Sequence, residues 1–226
     1  MREEFQLVQR LDLIKQICLD RKVLHLGCTN YPYTQDAIDN NMLLHSSLEK
    51  IAAEIYGFDF DQAGIDILAS HGSANLFQAD LENLNKVDLN ETFDVIVAGE
   101  VIEHLNNPGL FLNGIKRFMN GNTQLVITTI NAYCGLRFFQ YGFRGKGGRN
   151  EPVHPDHVAY YSHSTLNLLL RKNGLDVEDS YFYDVGYEHR SHNRKIYNFL
   201  NDVCVRIAPQ WADGVIAVCK LPANAG

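Results

Sequence analysis

Five short apolar runs recur along the first 131 residues: KVLHLG (22–27), EIYGFDFD (54–61), ANLFQADL (74–81), TFDVIVAGE (92–100) and TQLVITTIN (123–131). Four of them run into a glycine or a carboxylate. Near-continuous apolar character, as in VLHL and VIVA, marks strands covered on both faces. Between the runs lie segments of helical pattern, such as SSLEKIAAEI (46–55), QAGIDILASHG (62–72) and GLFLNGIKRFMN (109–120). Parallel strands need crossovers of about a dozen residues, and these intervals are long enough. The reading is therefore α/β: one doubly wound, mostly parallel sheet with helices on both faces. LDVEDSYFYDV (175–185) and DGVIAVCKLP (213–222) add two late strands, giving about seven.

Other segments fill in that frame. FQLVQRLDLIKQICL (5–19) places Leu7, Leu11, Ile14 and Cys18 at helical spacing, so an opening helix is expected there. Residues 31–44 read as a loop, 162–174 as a capped helix stopped by Gly174, and 192–207 as a further helix. The aromatic and glycine-rich stretch across 132–160 breaks the alternation and reads as a lid or substrate insert within a single domain, 1–226.

Composition narrows the function classes. Net charge is −7, and no run of Lys or Arg is longer than two residues, which argues against a long nucleic-acid groove. Arg144, Arg149, Arg190 and Arg194 form too thin a basic surface for RNA. No stretch reaches the ~18 apolar residues of a membrane helix. MREEFQLVQR lacks the apolar region of a signal peptide. Five dispersed cysteines without a C-x-x-C pair fit reduced thiols in a cytoplasmic protein.

Ligands of doubly wound sheets bind beyond the carboxyl ends of the strands, where strand order reverses. The residues there are Gly27, Cys28, Thr29 and Asn30 at the end of the first run, with His25 on the strand leading into them, Asp59 and Phe60 at the end of the second, Asp80 and Leu81 at the end of the third, and Gly99 and Glu100 at the end of the fourth. A carboxylate accepts hydrogen bonds from both hydroxyls of a ribose, so Asp59 suits a nucleoside sugar and Asp80 an adenine amino group. Each acid has an equally ordinary alternative as the N-cap of the following helix. Four successive strand ends together favour a site.

VLHLGCTN, YGFDFD, QADLENL, FDVIVAGEVIEHLNNPGLFL, LVITTINAY and HPDHVAYYSHSTLNLLLRKNGLDV resemble, in order, the motifs of class I S-adenosylmethionine-dependent methyltransferases, of the group containing the ubiquinone-pathway O-methyltransferases. The similarity covers roughly residues 20–180. It implies a Rossmann-like sheet, S-adenosylmethionine as cofactor and S-adenosylhomocysteine as product, with methyl transfer to oxygen on a small polar or sugar-like acceptor. Gly27 stands nearly alone where the family keeps more glycine. A donor without a pyrophosphate needs only one close backbone approach, so the loop still suits it.

In GEVIEHL, Glu100, Glu103 and His104 stand at i, i+3 and i+4. Three roles are open. Glu100 can hold the methionine end while Glu103 and His104 brace the turn. His104, or His157 downstream, can act as general base. Glu100, Glu103 and His104 with His154 or His157 can bind a divalent ion, although two carboxylates with imidazole suit Mg²⁺ or Mn²⁺ less sharply than an all-oxygen site does. Two rival functions complete the field. One is a methyltransferase-like binding module without catalysis. The other is a nicotinamide oxidoreductase, disfavoured by the lack of G-x-G-x-x-G. Oligomeric state is not readable from the sequence.

Overall fold

The computed structural model describes residues 6–144, 156–184, 186, 190 and 194–223. Eight strands form one sheet: β1 (Leu7–Val8), β2 (Lys22–Leu26), β3 (Glu54–Asp59), β4 (Leu76–Gln78), β5 (Val95–Gly99), β6 (Gln124–Ile130), β7 (Asp176–Tyr183) and β8 (Gly214–Lys220). Their order is β1-β7-β8-β6-β5-β2-β3-β4. All neighbours are parallel except β8, which runs antiparallel to both β6 and β7. The chain builds outward from β2 through β3 to β4, then returns to start β5 on the other side of β2. The order therefore reverses between β2 and β5, and the cleft opens there.

Strand alternation sorts the core into two layers. Leu24, Leu26, Ile96, Ala98, Leu125 and Ile127 face one side, under α5 (Pro108–Ile115) and α7 (His163–Lys172). Val23, Val95, Val97, Val126, Ile216 and Val218 face the other, under α1 (Arg10–Cys18) and α3 (Leu44–Glu49). Helix α4 (Gln62–Ser70) makes the crossover from β3 to β4, and α8 (Lys195–Ile207) lies in the connection between the antiparallel neighbours β7 and β8. Ser162 caps α7, accepting from Thr165 N while the Thr165 hydroxyl accepts from Ser162 N.

The structure departs from the sequence reading at four places. An eighth strand forms because Gln6 O accepts from Phe182 N at 2.9 Å, so the chain pairs with β7 before the opening helix begins at Arg10. The expected loop at 31–44 contains α2 (Thr34–Asp39). Helix α3 begins at Leu44, not at a serine cap, because burial of His45 and Leu48 sets its position. Part of the 132–160 insert is helical, as α6 (Gly135–Arg144), and residues 145–155, with His154 and Arg149, lie outside the described residues. No described helix is long and apolar enough to cross a membrane.

Candidate active site

The first loop crosses directly beneath the turn that follows β5. Gly27 sits at φ +73°, and a β-carbon there would lie 2.7 Å from Val101 Cγ2. Both the conformation and the space require glycine. Gly27 N and Cys28 N donate to Phe58 O at 2.8 and 3.2 Å, folding the loop back over β3. Asp59 fastens it: one carboxylate oxygen accepts from Thr29 N (2.8 Å) and the other from Asp61 N (2.9 Å). The N-cap of α4 is Asp61, which accepts from Gly64 N. Asp59 is thus released from capping and stands at the rim. Asp80 does carry a capping role, accepting from Glu82 N at 2.9 Å and from the Asn83 amide at 2.6 Å.

Beyond β5, Glu100 adopts the left-handed conformation, φ +57°. Such backbone in a residue other than glycine costs of order 1–3 kcal/mol and clusters at functional sites. Its carboxylate points toward the sheet, where the Tyr183 hydroxyl donates to it at 2.8 Å and Arg10 lies at 3.6 Å. Arg10 also donates to the Thr128 hydroxyl. Burial beside Glu100 raises the Tyr183 pKa far above its ordinary value, so it stays a donor.

These strand ends and the turn at residues 102–104 enclose a cleft of about 750 Å³. Of the residues read from the sequence, Gly27, Asp59, Phe60, Asp80, Leu81, Gly99, Glu100, His104 and His157 all line it. Thr29, Asn30, Tyr31, Glu82, Val101, Leu105, Asn106 and Asp156 line it too. Of this second group the sequence places Thr29 and Asn30 at the end of the first strand but assigns no contact to any member; adjacency to a strand end is the only signal available for most. Phe60 stands at the lip, 75% exposed.

His25 and Cys28 lie elsewhere. Both are buried beneath the loop and neither lines the cleft. His25 points to the α3 side of the sheet and stacks on His45, with Nδ1 atoms 3.2 Å apart. Burial lowers both pKa values, His45 to about 4. The 3.9 Å approach of His45 to Glu49 is therefore no ion pair at neutral pH.

On the opposite wall, Glu103, His104 and His157 each present a ligand atom within 4.8 Å of the other two. The two rings meet edge to face, centroids 4.6 Å apart. Glu103 is fully buried, and neither carboxylate oxygen makes a hydrogen bond of normal geometry among the described residues. Burial, and next the charge of Glu100, push its pKa up to about 7. Its backbone carbonyl accepts from Val158 N and Ala159 N, docking the His157 segment on the turn. Glu100, turned toward Tyr183, is outside this cluster.

A family model described as a methyltransferase domain matches residues 20–180, well over half of the chain. The chain belongs to this methyltransferase-domain family. Among curated methyltransferases, the ubiquinone biosynthesis O-methyltransferase of Bradyrhizobium diazoefficiens is 26% identical over 167 residues, covering 69% of this chain and 66% of its own length. The mitochondrial enzyme of that name from Rattus norvegicus is 27% identical over 171 residues, covering 70% of this chain and 45% of its own. The match thus spans less than two thirds of these relatives. A putative methyltransferase from Bacillus halodurans shares the fold at TM-score 0.57 and 13% identity, covering 95% of this chain and 99% of its own. A SAM-dependent methyltransferase from Aquifex aeolicus gives 0.57 at 17% identity, covering 95% and 90%. The cyclase SpnF gives 0.57 at 14% identity, covering 94% and 80%. Likeness at that level carries the fold alone, as a cyclase among the neighbours illustrates.

Proposed function

We propose that this methyltransferase domain binds S-adenosylmethionine across the β2/β5 switch and methylates an oxygen of a small-molecule acceptor, leaving S-adenosylhomocysteine. The observation that carries this reading is convergence. Gly27, Asp59, Asp80 and Glu100, from four separate strand ends, line one cleft whose far wall holds His104 and His157. When bound, the cofactor supplies a methyl group on an already activated sulfonium. What the protein must add is placement of the acceptor within about 3–3.5 Å and in line, and an outlet for the hydroxyl proton.

Each residue has a part in this. Asp59 keeps acceptor capacity on both oxygens beyond its two backbone partners and receives the ribose hydroxyls. Phe60 offers an apolar face at the rim, and Asp80 with Leu81 borders the adenine. Glu100, whose carboxylate is occupied by Tyr183 and Arg10, serves the methionine end through its left-handed backbone. His104 and His157, whose ordinary pKa lies near neutrality, are the candidates to take the acceptor proton. Glu103 braces the turn between them through its carbonyl.

The buried carboxylate of Glu103, with a ligand atom within 4.8 Å of one on His104 and one on His157, favours a second reading of the same wall. Together with His104 and His157 it fits a divalent transition ion of borderline softness. Such an ion would supply Lewis acidity toward an acceptor hydroxyl. Titration calorimetry with S-adenosylhomocysteine tests the cofactor reading. Binding is expected, with Asp59→Ala and Asp80→Ala each weakening it about tenfold, or ~1.4 kcal/mol. No heat from the unaltered chain, or undiminished affinity in both variants, would overturn it.

A further inference from the structure

Glu82 is half-buried at the cleft edge, and its carboxylate accepts three hydrogen bonds from a segment more than twenty residues away. One oxygen takes Asn106 N (2.6 Å) and Asn107 N (3.1 Å), and the other takes the Asn107 side-chain amide (2.8 Å). These bonds hold the carboxylate pKa below its ordinary value, the Asn107 amide contributing most. Glu82 also donates its own N–H to Asp80. On the other side, Asn106 and Asn107 directly follow the turn that carries His104, and that turn holds Val158 and Ala159 through the Glu103 carbonyl. A path of hydrogen bonds and chain connectivity therefore runs from Asp80 to Val158, next to His157; its side-chain links are the carboxylates of Asp80 and Glu82, and Glu82 alone bridges the two segments.

We infer that Glu82 is a positioning residue: it ties the rim formed by Asp80 and Leu81 to the wall formed by His104 and His157, so that cofactor binding at one orders the other. The inference rests on the cofactor reading above. Two features separate this link from ordinary surface bonding. Exposed carboxylates commonly meet mobile side chains, whereas this one grips two consecutive backbone N–H groups, a charge-assisted and geometrically specific arrangement. The far end of the 80–89 segment is already fastened, by Arg117 donating to Leu84, Val87 and Leu89 carbonyls. Glu82 is thus not needed to hold that segment to the domain, only to hold it to the histidine wall.

The test is amide hydrogen exchange with and without S-adenosylhomocysteine, read at single residues, together with calorimetry. In the unaltered chain the ligand is expected to slow exchange about tenfold at the first loop and also at Asn106, Asn107, Val158 and Ala159. Glu82→Ala should keep the protection at the first loop, lose it at Val158 and Ala159, and weaken binding about tenfold. Glu82→Gln retains an oxygen for the two backbone donors and should restore most of both effects. Asn107→Ala, which removes one bond of three, should give a smaller change in the same direction and stands in if Glu82→Ala does not fold. Protection at Val158 and Ala159 that persists in Glu82→Ala, or an unchanged affinity with only a lower melting temperature, would overturn the coupling. Absence of binding by the unaltered chain would instead overturn the cofactor reading and the coupling with it.

Discussion

The Glu103 carboxylate is buried in a fully desolvated position, without a hydrogen bond of normal geometry among the described residues, and with its pKa raised to about 7. A charge so placed costs stability, and replacing it with a neutral isostere is expected to be neutral or favourable. Glu103→Gln should raise the melting temperature in metal-free, chelator-treated buffer at pH 8 by about 2–4 °C, corresponding to ~1 kcal/mol for a domain of this size. The same substitution should reduce methyl transfer if the carboxylate acts at the histidine wall, because stability and function then pull in opposite directions. Calorimetric scanning alongside a product assay measures both. A variant that melts lower than the parent would show that the carboxylate is satisfied in the fold and that its burial carries no functional cost.

At the scale of elements, strand β2 and helix α3 meet through His25 and His45. Their facing Nδ1 atoms need one proton between them, donated by one ring and accepted by the other. Burial depresses both folded pKa values, most for His25, where the charges of His45 and Arg10 act in the same direction. In the unfolded chain each histidine titrates near 6.5. As pH falls below that value the unfolded state binds protons that the folded pair refuses, so stability falls progressively from about pH 6.5 to about pH 4. Urea midpoints across that window should drop less steeply in His45→Gln, which keeps a hydrogen-bonding partner for His25 but removes one titration. An equal slope in both proteins would place the acid sensitivity elsewhere.

The same elements show how far sequence reading reaches. Strands β2, β5 and β6 announce themselves because strands covered on both faces are apolar nearly throughout. The strand-end residues follow from that placement. The His25–His45 pair was not legible, since it arises from α3 lying across β2, and His25 instead read as part of the cofactor loop. Helices α2 and α6 were hidden by polar or aromatic composition, and β1 by an apolar spacing that fits a helix equally well. Tyr183 and Arg10 meet Glu100 only through the sheet order, which no local pattern encodes.

At the scale of the whole molecule, the charge distribution bears on which ligands the proposed cofactor cleft would favour. Asp59, Asp80, Glu82, Glu100 and Asp156 line it, and among the described lining residues there is no lysine or arginine. The chain around it is itself at −7. A dinucleotide brings a pyrophosphate into that field without a cationic partner, whereas S-adenosylmethionine carries one net positive charge and S-adenosylhomocysteine none. Attraction between partly exposed charges fades as the screening length contracts from about 10 Å at 0.1 M salt to about 3 Å at 1 M. Affinity for S-adenosylmethionine should therefore fall about threefold or more as salt rises between those concentrations. S-adenosylhomocysteine should lose appreciably less over the same range, and NADH should not bind at either. Calorimetry at matched salt concentrations decides it. Equal salt slopes for the two cofactor forms would mean that the acids around this cleft are neutralised before any ligand arrives, and that selection rests on shape and hydrogen bonding alone.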